Sequence, residues 1–192
     1  TSDLKNILDQ YAFYDDDLSM AHSEWKSGEL SSRKLVELII GEQGKGFSKA
    51  PKGLIPFHQV DGRVLNGFQE HLIQGLMLGT DNVRYHCTIQ ESFEHGFLSS
   101  LENLKASFDK EYHVDFSFQN PSTDAVAFDD KLNPVKLKDG HLLKRPAGHG
   151  ALIENLNEVD QQMVLIKNID NVQHLYSSDR SLEVWNSLCG LL

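Results

Sequence analysis

The segments Asn82-Val-Arg-Tyr-His-Cys-Thr-Ile89 and His113-Val-Asp-Phe-Ser-Phe118 decide the fold that this sequence predicts. In both segments apolar and polar residues alternate with a period of two, which is typical of half-buried β-strands. Apolar residues spaced by three and four lie between them: Phe93, Phe97, Leu101, Leu104 and Phe108. That spacing predicts an amphipathic α-helix, so the sequence indicates a strand, a helix and a second strand in succession.

Further elements extend this pattern on both sides. A helix is predicted over residues 65–76, ending near Gly79, and a short helix over residues 151–156. Asp139-Gly140 lies between Val135-Lys-Leu-Lys138 and His141-Leu-Leu-Lys144, which is a strong signal for a β-hairpin. The apolar run at residues 163–169 predicts a buried strand. Together these elements predict an α/β fold, with a mixed and mostly parallel sheet flanked by helices and a β-hairpin insertion.

The first 45 residues are predicted to form a helical segment, and residues 46–192 an α/β domain. Apolar residues at helical spacing predict a first helix: Leu4, Ile7, Leu8, Tyr11 and Tyr14. After a break at Ser27-Gly28, Ser31 or Ser32 is placed to cap a second helix through Ile40. The loop at 41–53 holds four glycines, three lysines and a proline but lacks the GxxxxGK[ST] spacing of a P-loop. It is therefore either a phosphate-binding loop of another kind or a flexible connector.

Composition and charge argue against several classes of protein. The 192 residues suffice for one domain, and a content of 40% hydrophobic and 24% charged residues is ordinary for a globular chain. The net charge of −10 argues against a general nucleic-acid binder. The apolar runs are too short for a membrane span, and Cys87 and Cys189 form no CxxC pair. We therefore expect a cytoplasmic protein that binds neither nucleic acid nor a membrane, and the sequence leaves its oligomeric state open.

Polar residues follow two of the predicted strands. The first group comes after residues 113–118 and consists of Gln119, Ser122, Thr123 and Asp124. Asp170 and Asn171 come at the end of the run at 163–169. In an open α/β sheet, ligands bind beyond the carboxyl ends of the strands, so we expect both groups at a ligand site. Because Mg²⁺ prefers oxygen ligands and takes few of them from protein, Asp170 is a candidate metal ligand.

A glycine-rich turn precedes the second of these strands. The sequence Arg145-Pro-Ala-Gly-His-Gly150 leads into the predicted helix at 151–156. Gly148 and Gly150 let the backbone approach a ligand, and a helix N-terminus presents free amides to an anion. Arg145 suits a bidentate grip on phosphate, while His149 is placed to donate to a bound oxygen or to orient a sugar. An ordinary strand-to-helix turn would use the same glycines, so both interpretations stay open.

Lys167 and the histidines other than His149 also have simpler structural explanations. Lys167 interrupts an apolar run and would be costly to bury without an anionic partner, yet it also suits a lysine that reaches solvent from a sheet edge. His71 and His95 follow glutamates without completing HExxH, so a zinc peptidase is not supported. His86 is expected in the core or on a sheet face. With no GxSxG elbow and no convincing Cys–His pair, covalent hydrolase chemistry has little support.

Five segments carry a family resemblance: Pro51-Lys-Gly-Leu-Ile-Pro-Phe-His58, Glu70-His-Leu72, Ser117-Phe-Gln-Asn-Pro-Ser-Thr-Asp124, Arg145-Pro-Ala-Gly-His-Gly-Ala-Leu-Ile-Glu-Asn-Leu-Asn157 and Ile166-Lys-Asn-Ile-Asp-Asn-Val172. They resemble a bacterial family, the domain of unknown function 4301, from about residue 50 to residue 172. The last two segments are the most specific to it. One departure is Ala147, where the family is expected to have a glycine.

That family is in turn similar, more distantly, to the sugar-1-phosphate uridylyltransferases, whose fold is a Rossmann-like nucleotidyltransferase domain. The resemblance implies that Gln119 faces the uracil, that Gly148 and Gly150 face the nucleotide or sugar, and that Asp170 binds the metal at the diphosphate. It also implies that Lys52 lies near the triphosphate. Such enzymes open with a strand and a glycine-rich loop ending in an arginine, which nothing before residue 40 resembles. We therefore expect a fragment or a reduced member of the family.

The resemblance thus implies a domain that transfers a nucleotidyl group to a sugar 1-phosphate with Mg²⁺. The predicted catalytic residues are Lys52, Arg145 and Lys167, and Asp170 is the predicted metal ligand. The predicted substrate-binding residues are Gln119, Ser122, Thr123, Asp124, Gly148, His149, Gly150, Asn155 and Asn171. The alternative is a non-catalytic module that binds a nucleotide-sugar or phosphorylated sugar, and a third possibility is a scaffold domain without a ligand. The base and the sugar are not specified by the sequence.

Overall fold

The structure is a computed structural model that describes residues 7–78, 83–106, 112–174 and 179–190. The α-helices of these residues are α1 (Asp16–Ser27), α2 (Ser32–Ile40), α3 (Gly67–Leu76), α4 (Glu94–Lys105), α5 (Ile153–Asn157) and α6 (Asp179–Cys189). Their strands are β1 (Pro56–Val60), β2 (Arg63–Asn66), β3 (Val83–Ile89), β4 (Tyr112–Phe118), β5 (Ala125–Val126) and β6 (Lys144–Arg145). Short 3₁₀ helices occur at Leu8–Gln10, Lys52–Leu54, Glu91–Phe93, Pro121–Thr123, His149–Leu152 and Ile169–Asn171.

The strands of the described residues form three two-stranded sheets. The β1–β2 and β5–β6 pairs are antiparallel, and the β3–β4 pair is parallel. The fold is therefore mixed α/β. A single Rossmann-like sheet that is mostly parallel stays a prediction, because each of these sheets has only two strands.

The predicted strand, helix and strand are confirmed in chain order. β3 and β4 pair in parallel along their whole length, from Val83 opposite Tyr112 to Ile89 opposite Phe118. α4 lies between them in the sequence, and it buries Phe97, Leu101 and Leu104 as its spacing predicts. Phe108, the last apolar position of that pattern, lies outside the described residues.

The described residues divide into two compact units. Unit 1 comprises those within Thr1–Asp81, Gly96–Lys110 and Lys167–Leu192. Unit 2 comprises those within Asn82–His95 and Glu111–Ile166. The division expected between residues 45 and 46 is a different one and stays a prediction.

The core of unit 1 has two parts that come from different helices. One is an N-terminal cluster of Leu8, Leu18, Ala21, Trp25 and Leu35. The other joins α3 to α4, where the rings of Phe68 and Phe97 meet edge to face at 5.2 Å. Leu72 is 1% exposed in that second part. Helix α3 is therefore a largely buried support for the side chains that it carries.

The N-terminal helices follow their capping signals only in part. Ser31 accepts a hydrogen bond from the Lys34 amide and so caps α2, as predicted. α1 ends at Gly28, whose φ of 89° favours glycine. The helix predicted from the spacing of Leu4 to Tyr14 is wrong in its described part, since a 3₁₀ helix forms at Leu8–Gln10 and no helix includes Tyr11 or Tyr14. Leu4 lies outside the described residues. Asp15 is extended and caps α1, so no helix continues through it.

Two further predictions fall in unit 2 or at its border. The turn at Asp139-Gly140 is confirmed, with Gly140 at a φ of 87°. The strand predicted at residues 163–169 is wrong: residues 163–168 are irregular and are followed by the 3₁₀ helix Ile169–Asn171. The apolar side chains of this run are 38–67% exposed between Met163 and Ile166. No described strand pairs with them, so the backbone lacks the ladder that would hold an extended run in place.

Candidate functional site

Helix α3 starts on a capping box that fixes its first turn. The Asn66 Oδ1 accepts from the Gln69 amide at 2.9 Å, and the Gln69 side chain accepts from the Asn66 amide at 3.1 Å. Both side chains also donate to Ser100 of α4, at 2.7 Å to its Oγ and at 2.9 Å to its carbonyl. These four bonds hold Glu70, His71 and Gln74 in register for the rest of the site.

The structure brings together two predicted site residues that are far apart in sequence. The Lys52 Nζ donates to the Asp170 Oδ1 at 2.8 Å, across 118 positions. Both side chains remain largely exposed, at 71% and 53%. Their neighbours in sequence also lie close together, since a Cβ placed on Gly53 would lie at van der Waals distance from the Ile169 Cδ1, 3.5 Å away. The two segments that carry this ion pair therefore approach each other.

Gln74 ties the segment that carries Asp170 to α3. Its Nε2 donates to the Gln173 carbonyl at 2.6 Å, and its Oε1 accepts from the Lys167 Nζ at 2.7 Å. We call residues 167–174 the strap. Because Gln74 is only 4% exposed, both ends of the strap are anchored on a buried amide.

Lys167 has a neutral partner where the sequence suggested an anionic one. Partial burial lowers the pKa of this lysine. It lies near His71, whose ring nitrogens are buried without a hydrogen bond of good geometry among the described residues. Burial, followed by the positive charge of Lys167, lowers the pKa of His71. Asn171, another predicted site residue, is exposed at the end of the 3₁₀ helix of the strap.

A carboxylate–histidine pair in unit 1 was missed by the sequence reasoning. The Glu70 Oε2 accepts from the His58 Nδ1 at 2.7 Å, and its Oε1 lies 3.0 Å from the same nitrogen. Glu70 is 1% exposed, and burial raises its pKa against the hydrogen bond from His58 and the charge of His174. The rings of His58 and His174 lie 5.0 Å apart. No local motif links residues twelve and more positions apart, so only the fold could reveal this group.

Several predicted binding residues of unit 2 lie after β4. The Gln119 Nε2 donates to the Thr123 Oγ1 at 3.1 Å, and Thr123 in turn donates to the Asn120 carbonyl. The Ser122 amide donates to the Asn120 side chain at 3.0 Å. Asp124 follows the 3₁₀ helix Pro121–Thr123 and is half-buried. The structure thus gathers these residues into one polar turn at the carboxyl end of β4.

Asn155 is the most buried of the predicted binding residues, at 6% exposure. Its Nδ2 donates to the Ser117 Oγ at 3.1 Å and to the Phe118 carbonyl at 2.9 Å. The carbonyl can only accept, so these bonds fix which way the amide points. The Asn155 Oδ1 is buried and has no partner among the described residues. Ser117 also bonds the His86 Nε2 at 2.8 Å, which places His86 on an exposed sheet face.

The glycine-rich turn is open. Gly148 and Gly150 have no described atom within 4 Å of an added Cβ, and neither has a positive φ. His149 is exposed at the start of the 3₁₀ helix His149–Leu152, which precedes the five-residue α5. Arg145 is exposed in β6, and no described residue accepts a side-chain hydrogen bond from it. The backbone therefore does not demand these glycines, and the space above them is free.

Comparison with known proteins identifies the family. The model of the family described as "Domain of unknown function (DUF4301)" matches residues 2–192. The chain belongs to this family. No curated protein and no solved structure gives a significant match. Since family membership carries no activity with it, the chemistry of this DUF4301 member has to be argued from its residues.

The residues of this DUF4301 member fit a magnesium ion in one limited sense. Across the described residues, no three His, Cys, Asp or Glu side chains come together as a metal-binding group. Asp170 offers a single carboxylate. Mg²⁺ at phosphate sites is often held by one or two carboxylates plus the phosphates themselves, and Asp170 satisfies that minimum. Within the same residues, no helix combines the length and the apolar character needed to cross a membrane.

Proposed function

We propose that this chain binds a nucleotide or nucleotide-sugar and transfers its nucleotidyl group to a sugar 1-phosphate. The observation that carries the proposal is the contact between Lys52 and Asp170 at 2.8 Å. The residue expected beside a triphosphate and the residue expected to hold its metal are adjacent, although 118 positions separate them. Sequence proximity could not have produced this pairing.

Charge and exposure support a role in phosphate binding. An ammonium group exposed at 71% can turn from its carboxylate partner to a phosphate oxygen at little cost in desolvation. Asp170 would then be free to hold Mg²⁺ together with the phosphates, which supplies charge neutralisation. Lys167 adds a second cation on the strap. What the residues themselves do is bind and orient a polyanion for in-line attack by the sugar phosphate.

Taken by itself, unit 2 has side chains and open space that suit the recognition of a base or a sugar. Gln119 offers an amide at the end of β4, as expected for a group that reads a uracil edge. Gly148 and Gly150 leave open space beside an exposed His149. Arg145 is close in sequence to that turn, and its guanidinium has no side-chain partner among the described residues, which suits a phosphate.

A non-catalytic binding module is the second candidate. The observation in its favour is the sparse donor set, since the described residues supply one carboxylate for a metal and no group of three metal-ligating side chains. Such a module would bind the same small molecules without needing Mg²⁺.

Thermal-shift measurements with UTP, UDP-glucose and glucose 1-phosphate, with and without MgCl₂, separate these functions. In the transferase, UTP stabilises the protein in a Mg²⁺-dependent way that Asp170→Ala abolishes, and Lys52→Ala weakens UTP binding about 10- to 100-fold, as the loss of one charged hydrogen bond implies. Pyrophosphate release from UTP and glucose 1-phosphate completes that case.

Matched controls remove the same charges elsewhere. Asp160→Ala and Lys138→Ala change exposed residues without a side-chain partner among the described residues, so both variants should bind like the parent. A shift that is independent of Mg²⁺ but lost in Lys52→Ala favours the binding module. The absence of a shift with all three ligands contradicts both functions.

A further inference from the structure

The pair of Glu70 and His58 has the geometry of an oriented proton acceptor. The Glu70 carboxylate is 1% exposed and bonds the Nδ1 of the imidazole at 2.7 Å. This bond keeps the proton on Nδ1 in the neutral ring and leaves the lone pair on Nε2. The His58 side chain is 28% exposed, and its Nε2 has no hydrogen-bond partner among the described residues. A buried carboxylate therefore holds a partly exposed ring and leaves its other nitrogen without a partner among the described residues.

The other described histidines lack this combination. His113 bonds the carboxylate of Asp115, but through its Nε2, and both side chains are exposed. The Nδ1 of His22 bonds the hydroxyl of Tyr14, which carries no charge at neutral pH. Of these three histidines, only His58 bonds a buried carboxylate through Nδ1.

Three described groups that border the pair come from the strap, β1 and α3. On the strap, the ring of His174 lies 5.0 Å from that of His58 and its Nε2 donates to the Gln59 carbonyl at 3.3 Å. On β1, the ring of Phe57 lies 4.6 Å from that of His58. On α3, Glu70 stands one turn before Gln74, which anchors the strap. The strap thus borders this pair at His174 and carries Asp170 four residues earlier.

We propose that unit 1 hydrolyses a phosphoanhydride, with His58 as the general base and Glu70 as its positioning residue. His58 Nε2 takes a proton from a water molecule, whose oxygen forms a new bond to phosphorus. The bond from phosphorus to the leaving phosphate oxygen breaks, and that oxygen keeps the electron pair. This activity rests on the proposed function for the binding of the phosphate compound. It goes beyond that function because a sugar phosphate is already an anion and needs no base, whereas water does.

The test measures the hydrolysis of UTP and of UDP-glucose by ³¹P NMR, without any sugar phosphate, over a range of pH. His58→Gln should lower the rate on the order of 100-fold or more, the usual contribution of a general base. Glu70→Gln keeps an oxygen that accepts from Nδ1 but removes the charge. It should lower the rate with KM unchanged, because a neutral amide stabilises the imidazolium that forms on proton transfer less than a carboxylate does. His113→Gln, which breaks an exposed histidine–carboxylate pair, is the matched control and should leave the rate unchanged.

Binding of UTP, followed by thermal shift in the same samples, keeps the two proposals distinguishable. Binding without hydrolysis, or hydrolysis that survives in a folded His58→Gln variant, overturns the role of His58 and leaves the proposed function standing. Hydrolysis that needs His58 but neither Lys52 nor Asp170 supports the base and contradicts the proposed phosphate site. If neither probe binds nor is hydrolysed, both proposals are overturned.

Discussion

Asn66 should contribute more to stability than an ordinary helix cap, because it makes two bonds through one side chain. Asn66→Ala removes the cap bond to the Gln69 amide and the bond to the Ser100 Oγ. A cap is worth about 1 kcal/mol. Loss of the second bond costs about 1 kcal/mol more, because it takes a partner from the hydroxyl of Ser100, a residue that is only 6% exposed. We therefore expect the free energy of unfolding to fall by about 2–3 kcal/mol.

Two variants divide this loss into its parts. Ser31→Ala removes one cap bond on the exposed start of α2 and should cost about 1 kcal/mol. Asn66→Asp keeps the acceptor for the Gln69 amide and loses the amide group that donates to Ser100. Its free energy of unfolding should therefore lie between those of the parent and of Asn66→Ala.

Urea unfolding, followed by tryptophan fluorescence, measures these free energies in the unit that contains α3. The chain has two tryptophans, Trp25 and Trp185, and both belong to unit 1 together with α3. The m-value should not change, since the surface exposed on unfolding is the same. If Asn66→Ala costs no more than Ser31→Ala, the bond to Ser100 contributes nothing and the reasoning is refuted.

Three further predictions use other groups of the structure. Burial raises the pKa of Cys87 to about 11, so iodoacetamide at pH 8 should label it at least 10-fold more slowly in the folded protein than in guanidinium, as mass spectrometry of the peptides can show; equal rates would contradict its burial. Burial also raises the pKa of Glu70, so its ionisation costs stability as the pH rises above about 4.5. Glu70→Gln should therefore gain stability relative to the parent between pH 4 and pH 7 in urea titrations, and a constant difference would refute this. Asn155→Asp sets a buried carboxylate against the Phe118 carbonyl, so the free energy of unfolding should fall by about 2–4 kcal/mol, as measured by circular dichroism. A fall of less than about 1 kcal/mol would contradict the observed orientation of the amide.

Local periodicity was a good guide wherever an element pairs or packs with a near neighbour in the sequence. β3 and β4 are separated by a single helix, and their alternation reflects the two faces of the pair. The cap at Ser31 and the turn at Gly140 depend on the conformation of a few residues, so their chemistry could be read directly. These elements needed no knowledge of the tertiary structure.

The failures have a common physical origin in partners that lie far away. The run from Met163 to Ile166 has the composition of a buried strand, but composition does not supply a neighbouring strand. The helical spacing around Tyr11 does not continue into α1, because Asp15 is extended and caps the start of that helix.

In the candidate site, too, single residues could be predicted from the sequence, whereas the contacts between them could not. Asp170 was predicted from its place after an apolar run, and Lys52 from the resemblance, but their contact is seen only in the tertiary structure, where the segments of Gly53 and Ile169 approach each other. The pair of His58 and Glu70 joins a strand to a helix across a hairpin. Neither contact leaves a trace in residue spacing, since the groups involved belong to separate elements of unit 1.

The exposed run from Met163 to Ile166 also has a consequence for the behaviour of the protein at high concentration. Four successive apolar residues in an irregular segment, each 38–67% exposed, resemble the short segments that stack into intermolecular β-structure. Asp160 and Lys167 border the run, and charges in such positions oppose self-association. Solubility should therefore fall when either charge is removed and rise when Val164 is replaced by lysine.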